Sequence, residues 1–125
     1  MRGRRAYHPG MSLDALTADL RAFAAERGWE KFHRPKNLAM ALAGEVGELV
    51  AELQWLTPEE CESLTDAQRD AVGAEMADVL MYLTRLADVL GVDLETATRA
   101  KMARNAGRFP VPGPGEEASV VPVQA

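Results

Sequence analysis

The chain is short of nearly everything that would mark a secreted, membrane-embedded or nucleic-acid-coating protein. One cysteine in 125 residues, Cys61, excludes an intramolecular disulfide and fits a reducing compartment. No apolar run approaches the roughly 20 residues that a membrane-spanning helix requires. The opening Met-Arg-Gly-Arg-Arg has the charge of a secretion signal, but no apolar segment follows it, so a cytoplasmic setting is expected. Basic residues are outnumbered, 14 against 19 acidic, for a net charge of −5, and Arg2, Arg4 and Arg5 crowd the first five positions. That balance argues against nucleic acid as a partner. An acidic protein acting on a polyanion needs a cation between them. The two histidines, His8 and His33, and the lone cysteine offer no spacing suited to zinc. Strand-like alternation of apolar and polar residues is missing as well.

What remains is helical periodicity, cut into segments by clear punctuation. Residues 1–11 show none of it and read as a flexible tail. From Pro110 onward, four prolines and two glycines mark residues 111–125 as a second disordered tail. Between them, residues 12–110 form the expected domain. Ser12 caps a first helix carrying Leu13, Leu16, Leu20 and Phe23, which Gly28 ends. A ring-rich loop runs from Trp29 to Arg34. Pro35 opens a second helix through Leu38, Leu42, Val46, Leu49, Val50 and Leu53 to about Leu56. Thr57 to Glu60 reads as a short capped turn. Thr65 with Gln68 is a capping box for a third helix, with Val72, Met76, Val79, Leu80, Leu83, Leu86 and Leu90, stopped by Gly91. Asp93 caps a fourth, ending near Ala106 before Gly107 and Pro110. The expected fold is an all-α four-helix bundle. Its modest core predicts self-association into a homo-oligomer, a dimer or tetramer.

Glu45 and Glu48 on the second helix, and Glu75 and Asp78 on the third, are each spaced i,i+3. Such pairs share one face, about 60° and roughly 4.5 Å apart. Like charges so placed repel by a few tenths of a kcal/mol even when exposed. Here they border the apolar stripes, where a carboxylate persists only with cations or protons nearby. Antiparallel packing of consecutive helices would bring the pairs together as an oxygen-rich site suited to Mg²⁺, with Mn²⁺ as a substitute. A lone pair of this kind reads as solvated surface; two on adjacent helices point to metal. Gly44 and Gly47, costly inside a helix, predict close approach of another helix or a ligand.

The stretches GEVGELVAELQW (Gly44–Trp55) and EMADVLMYL (Glu75–Leu83) resemble the MazG-like all-α NTP pyrophosphohydrolases, most closely the dCTP pyrophosphatase branch. AAERGWEKFHRPKNL (Ala24–Leu38) and KMARNAGRFP (Lys101–Pro110) are similar to the same branch, in the same order along the chain. The resemblance implies that Glu45, Glu48, Glu75 and Asp78 bind magnesium and serve catalysis. Water would attack the α-phosphorus of a nucleoside triphosphate and release a monophosphate and pyrophosphate. It implies phosphate contacts for Lys101, Asn105 and Arg108. Their i, i+4, i+7 spacing alone would equally describe a solvated basic cluster at a helix C-terminus. It implies a base pocket from Trp29, Phe32, His33, Trp55 and Tyr82, residues that packing alone would also explain. Glu52, one turn beyond Glu48, is a candidate base or a solvated glutamate. Two positions depart from the wider pattern. Gly44 stands where many members have a further glutamate, as it does in the dCTP branch, and Leu20 stands where animal members of that branch carry a histidine near the base. Leu20 therefore leaves nucleobase preference open. Competing readings are a pyrophosphohydrolase for dUTP or a damaged purine triphosphate, and a non-catalytic helical interaction module.

Overall fold

The computed structural model describes residues 12–118, so the expectations for residues 1–11 and 119–125 fall outside it. Among the described residues every regular element is a helix: α1 (Leu13–Glu26), α2 (Pro35–Leu53), α3 (Pro58–Glu62), α4 (Asp66–Leu90) and α5 (Leu94–Arg108). Residues 111–118 form no helix and contain a turn in which Glu116 N–H donates to the Gly113 carbonyl at 3.0 Å.

Each start has a local cause. The Ser12 hydroxyl accepts from Ala15 N–H, and the Asp93 carboxylate from Thr96 N–H, each satisfying an otherwise orphan donor of a first turn. Thr57 and Thr65 both form reciprocal capping boxes, with Glu60 and Gln68. Replacing Thr65 by alanine is expected to cost about 1 kcal/mol, read as a lower urea midpoint at unchanged slope. Gly91 closes α4 at φ +68°, a left-handed conformation that any side chain would strain.

Three boundaries differ from the periodicity reading. α2 stops at Leu53 rather than near Leu56. There Leu56 N–H bonds the Leu53 carbonyl in a tightened turn, and Thr57 must be extended to precede Pro58 and cap α3. The segment after Thr57 is a helix rather than a turn. α5 passes through Gly107 to end at Arg108.

The chain divides into two compact units, Met1–Gly91 and Val92–Ala125. In the first, α2 lies along α4, and α1 packs on α4 as well. Three long helices occupy this unit, so the expected four-helix bundle is not completed within it. Among the described residues its buried apolar side chains are few: Ala24, Leu38 and Ala87. Val46, Val50, Met76, Leu80, Leu83 and Leu90, all on stripes expected to face inward, remain exposed. Of the two approaches expected at the α2 glycines, that of another helix does not occur among the described residues. At Gly44 and Gly47 no neighbouring atom comes within 4 Å of the place a Cβ would occupy. No described helix is long and apolar enough to cross a membrane.

Candidate active site

The α2–α4 pairing brings the sequence-distant carboxylates together. Oxygens of Glu45, Glu48 and Glu75 all lie within 4.8 Å of one another. Asp78, the fourth carboxylate expected there, is not part of this tight group. It lines the adjoining cleft together with Glu45. Burial first, and then the charges of Asp78 and Glu48, hold the Glu45 carboxyl above its usual range, partly offset by hydrogen bonding with Glu75. Glu75 is also raised, by burial and by the charges of Glu48, Asp78, Glu45 and Glu52. Its Oε2 is buried without a hydrogen-bond partner. A buried carboxylate oxygen with no donor is a strong demand for a cation or a proton. The donor set is carboxylate oxygen throughout, which fits a hard divalent ion such as Mg²⁺ or Mn²⁺.

This crowding has a measurable sign. A carboxyl whose folded pKa is raised binds protons more readily when folded, so it opposes stability at neutral pH and ceases to do so as pH falls through the raised value. In metal-free protein, Glu75→Gln is therefore expected to raise the melting midpoint near neutrality. The gain should shrink on acidification, because wild-type Glu75 then takes up its own proton.

Beside the carboxylates, a cleft of about 260 Å³ is lined by Leu20, Phe23, Ala24, Trp29, His33, Glu45, Asp78, Met81, Tyr82 and Arg85. Backbone geometry at the end of α1 places its rings. Gly28, at φ +65°, lets its own N–H reach the Ala25 carbonyl and lets Trp29 N–H reach Ala24, the two bonds of a Schellman ending. Trp29 then meets Phe23 edge-on, with centroids 5.7 Å apart, and stands 6.2 Å from the His33 ring. A following turn, in which Phe32 and His33 N–H both donate to the Trp29 carbonyl, carries His33 back toward α4. An adjacent hollow is shared by Trp29, Phe32, His33, Asn37, Leu38, Ala41 and Tyr82.

Among the sequence candidates, Trp29, His33 and Tyr82 thus share one cleft with Glu45 and Asp78. Trp55 does not join them. It lies past the end of α2, is 86% exposed and lines neither hollow. Lys101, Asn105 and Arg108 all lie on α5 in the second unit, where Lys101 and Asn105 line a shallow hollow with Ala97, Thr98 and Met102. Leu20, an apolar residue of the first helix's stripe, is a cleft wall. Phe23, Met81 and Arg85 were missed as lining residues. The available signal for Arg85 was its position, seven after Asp78 and three after Tyr82, on the same face of α4.

Comparison with known proteins places the geometry in context. Residues 42–119 match the model of the MazG-like family. The chain is 43% identical over 110 residues to dCTP pyrophosphatase 1 of Homo sapiens, covering 86% of this chain and 65% of that protein. It is 47% identical over 91 residues to the Bos taurus protein of the same name, covering 71% of this chain and 54% of that one. The chain thus spans less than two thirds of the length of either relative. A solved structure of a pyrophosphatase from Archaeoglobus fulgidus superposes with a TM-score of 0.76 at 35% identity, covering 86% of this chain and all of the other.

Proposed function

The chain belongs to the MazG-like family, and on that premise we propose that it is a Mg²⁺-dependent nucleoside triphosphate pyrophosphohydrolase with dCTP or a modified dCTP as substrate. The observation that carries this reading is one juxtaposition: three carboxylates gathered from α2 and α4, and beside them a ring-lined cleft that shares Glu45 and Asp78 with the acidic face. The names of the human and bovine relatives support dCTP.

Glu45, Glu48, Glu75 and Asp78 are the proposed holders of the metal. A divalent ion bound there would neutralise charge on the triphosphate and acidify the attacking water. The cleft receives the base, with Trp29 and Tyr82 offering flat apolar faces and His33 a polar edge. Water adds at the α-phosphorus, the bridging oxygen to the β-phosphorus departs with pyrophosphate, and the water's proton passes to a carboxylate. Glu52 lies near enough for its charge to raise Glu75 and is the candidate acceptor. Lys101, Asn105 and Arg108 are assigned to the phosphates on their donor chemistry, and Trp55 to the base pocket, both as the resemblance implies. Residues 12–110 act as one catalytic domain in this reading. The exposed apolar stripes of α2 and α4 are covered by further copies in a homo-oligomer. A reducing cytoplasm suits the free, half-buried Cys61.

The test is product analysis on a panel of dCTP, dUTP, dTTP, dATP and dGTP, with Mg²⁺ and with EDTA. Metal-dependent release of monophosphate and pyrophosphate in equal amounts, fastest with dCTP, is expected. Stepwise loss of orthophosphate would contradict the chemistry, and no turnover of any nucleotide would contradict the function.

A further inference from the structure

Arg85 is the least expected residue of the cleft. It is 6% exposed, and its Nε donates to His33 Nδ1 at 3.2 Å while its Nη1 donates to Asp88 Oδ2 at 2.9 Å. Asp88 is held in turn by Arg21 of α1, whose Nη2 and Nε donate to Oδ1 and Oδ2 at 2.6 and 3.0 Å. The result is a polar relay, Arg21–Asp88–Arg85–His33, joining α1, α4 and the ring-rich loop beside the apolar walls of the cleft, among them Leu20, Phe23, Ala24 and Met81.

A guanidinium has only donors, so the His33 nitrogen that faces it must present a lone pair. That fixes the neutral ring with its proton on Nε2, which makes no hydrogen bond within the described residues. Burial and the Arg85 charge both hold the His33 pKa below its ordinary value, consistent with a neutral ring. The cleft's carboxylates, Glu45 and Asp78, are the groups assigned to the metal. What His33 offers a base edge is therefore donation, from Nε2–H.

We propose that Arg85 is a positioning residue for base selection. By fixing His33 as an Nε2–H donor, it makes the cleft favour a base edge with an acceptor at its centre, such as N3 of cytosine, over one that presents a donor there, as N3–H of uracil does. This rests on the nucleotide reading above and adds to it the means of choosing the base. Leu20 strengthens the case, because it leaves His33 as the one imidazole among the described residues.

The experiment combines two measurements on the full chain. Ring ¹⁵N NMR of unligated protein reads the His33 tautomer, and calorimetric titration with dCMP and dUMP in Mg²⁺ reads base preference without turnover. Wild type should show an unprotonated Nδ1 and prefer dCMP. Arg85→Lys keeps the charge but not the fixed fork. It should yield a mixed tautomer and lower the dCMP-to-dUMP preference about tenfold, leaving the Mg²⁺-dependent melting shift unchanged. His33→Gln should lose the same preference, with no further loss when combined with Arg85→Lys. An Nδ1-protonated His33 in wild type overturns the proposal. So does an unchanged preference, or an equal loss for both nucleotides, in folded Arg85→Lys. A wild-type chain that neither binds nor hydrolyses any nucleotide sinks the functional reading itself, which distinguishes that failure from this one.

Discussion

Glu48→Gln should lower metal-dependent nucleotide hydrolysis on the order of a thousandfold while leaving the chain folded. The substitution keeps the length and shape of the side chain and removes one negative charge from a cluster whose ligand atoms lie within 4.8 Å of one another. Glu48 is the exposed member of the three, so its replacement opens no cavity. It also removes one of the charges that crowd Glu45 and Glu75. The metal-free variant should therefore melt no lower than wild type, and its midpoint should respond less to added Mg²⁺. Single-turnover rates with dCTP and melts with and without Mg²⁺ would read both effects. A variant with full activity would remove Glu48 from the metal site. A variant that is inactive because it is unfolded would point to packing instead.

The second large effect is expected at Asp88, further along α4 from Glu75 and held between two arginines. Asp88→Asn should cost about 3 kcal/mol of stability, because it strips the balancing charge from Arg85, whose side chain is only 8% exposed. That is a large part of the roughly 5–15 kcal/mol by which domains are stable. Arg21 grips the same carboxylate with a shorter contact, yet its side chain is 60% exposed, so Arg21→Met should lower the urea midpoint far less. Burial of the surviving partner, rather than the length of the contact, decides between the two. Hydrogen bonds from Arg21, with its charge and that of Arg85, hold the Asp88 carboxyl below the usual range. Its contribution is therefore complete above the ordinary carboxylate pKa and fades as pH falls through the depressed value. Urea midpoints of wild type and Asp88→Asn should accordingly converge on acidification.

Much of the helical layout was legible because its signals are local. Ser12, Pro35, Thr65 with Gln68, Gly91 and Asp93 each act through a few neighbouring backbone groups, and each stands where a helix begins or ends. The end of α2 was misjudged because Leu53 and Leu56 both suit an apolar stripe, while the stop is set by the needs of the next helix's cap. The acidic cluster was legible as two i,i+3 pairs on adjoining helices; that Asp78 would lie along the cleft instead of within the tight group was not. Arg85 and Asp88 carry no local signal, because their other partners, His33 and Arg21, are 52 and 67 residues away. Periodicity found the apolar faces carrying Val46, Val50, Met76 and Leu80, but it shows only that a face is apolar and not which surface covers it.

The thin core has a thermodynamic corollary. A unit whose buried apolar residues, among those described, are Ala24, Leu38 and Ala87 has little of its own to hold it folded. In the proposed assembly, dilution acts as a denaturant: the folded fraction falls as copies separate, and the melting temperature rises with protein concentration. Cellular abundance then sets more than the amount of enzyme present, since a scarce chain spends a larger share of its time unfolded and open to proteolysis.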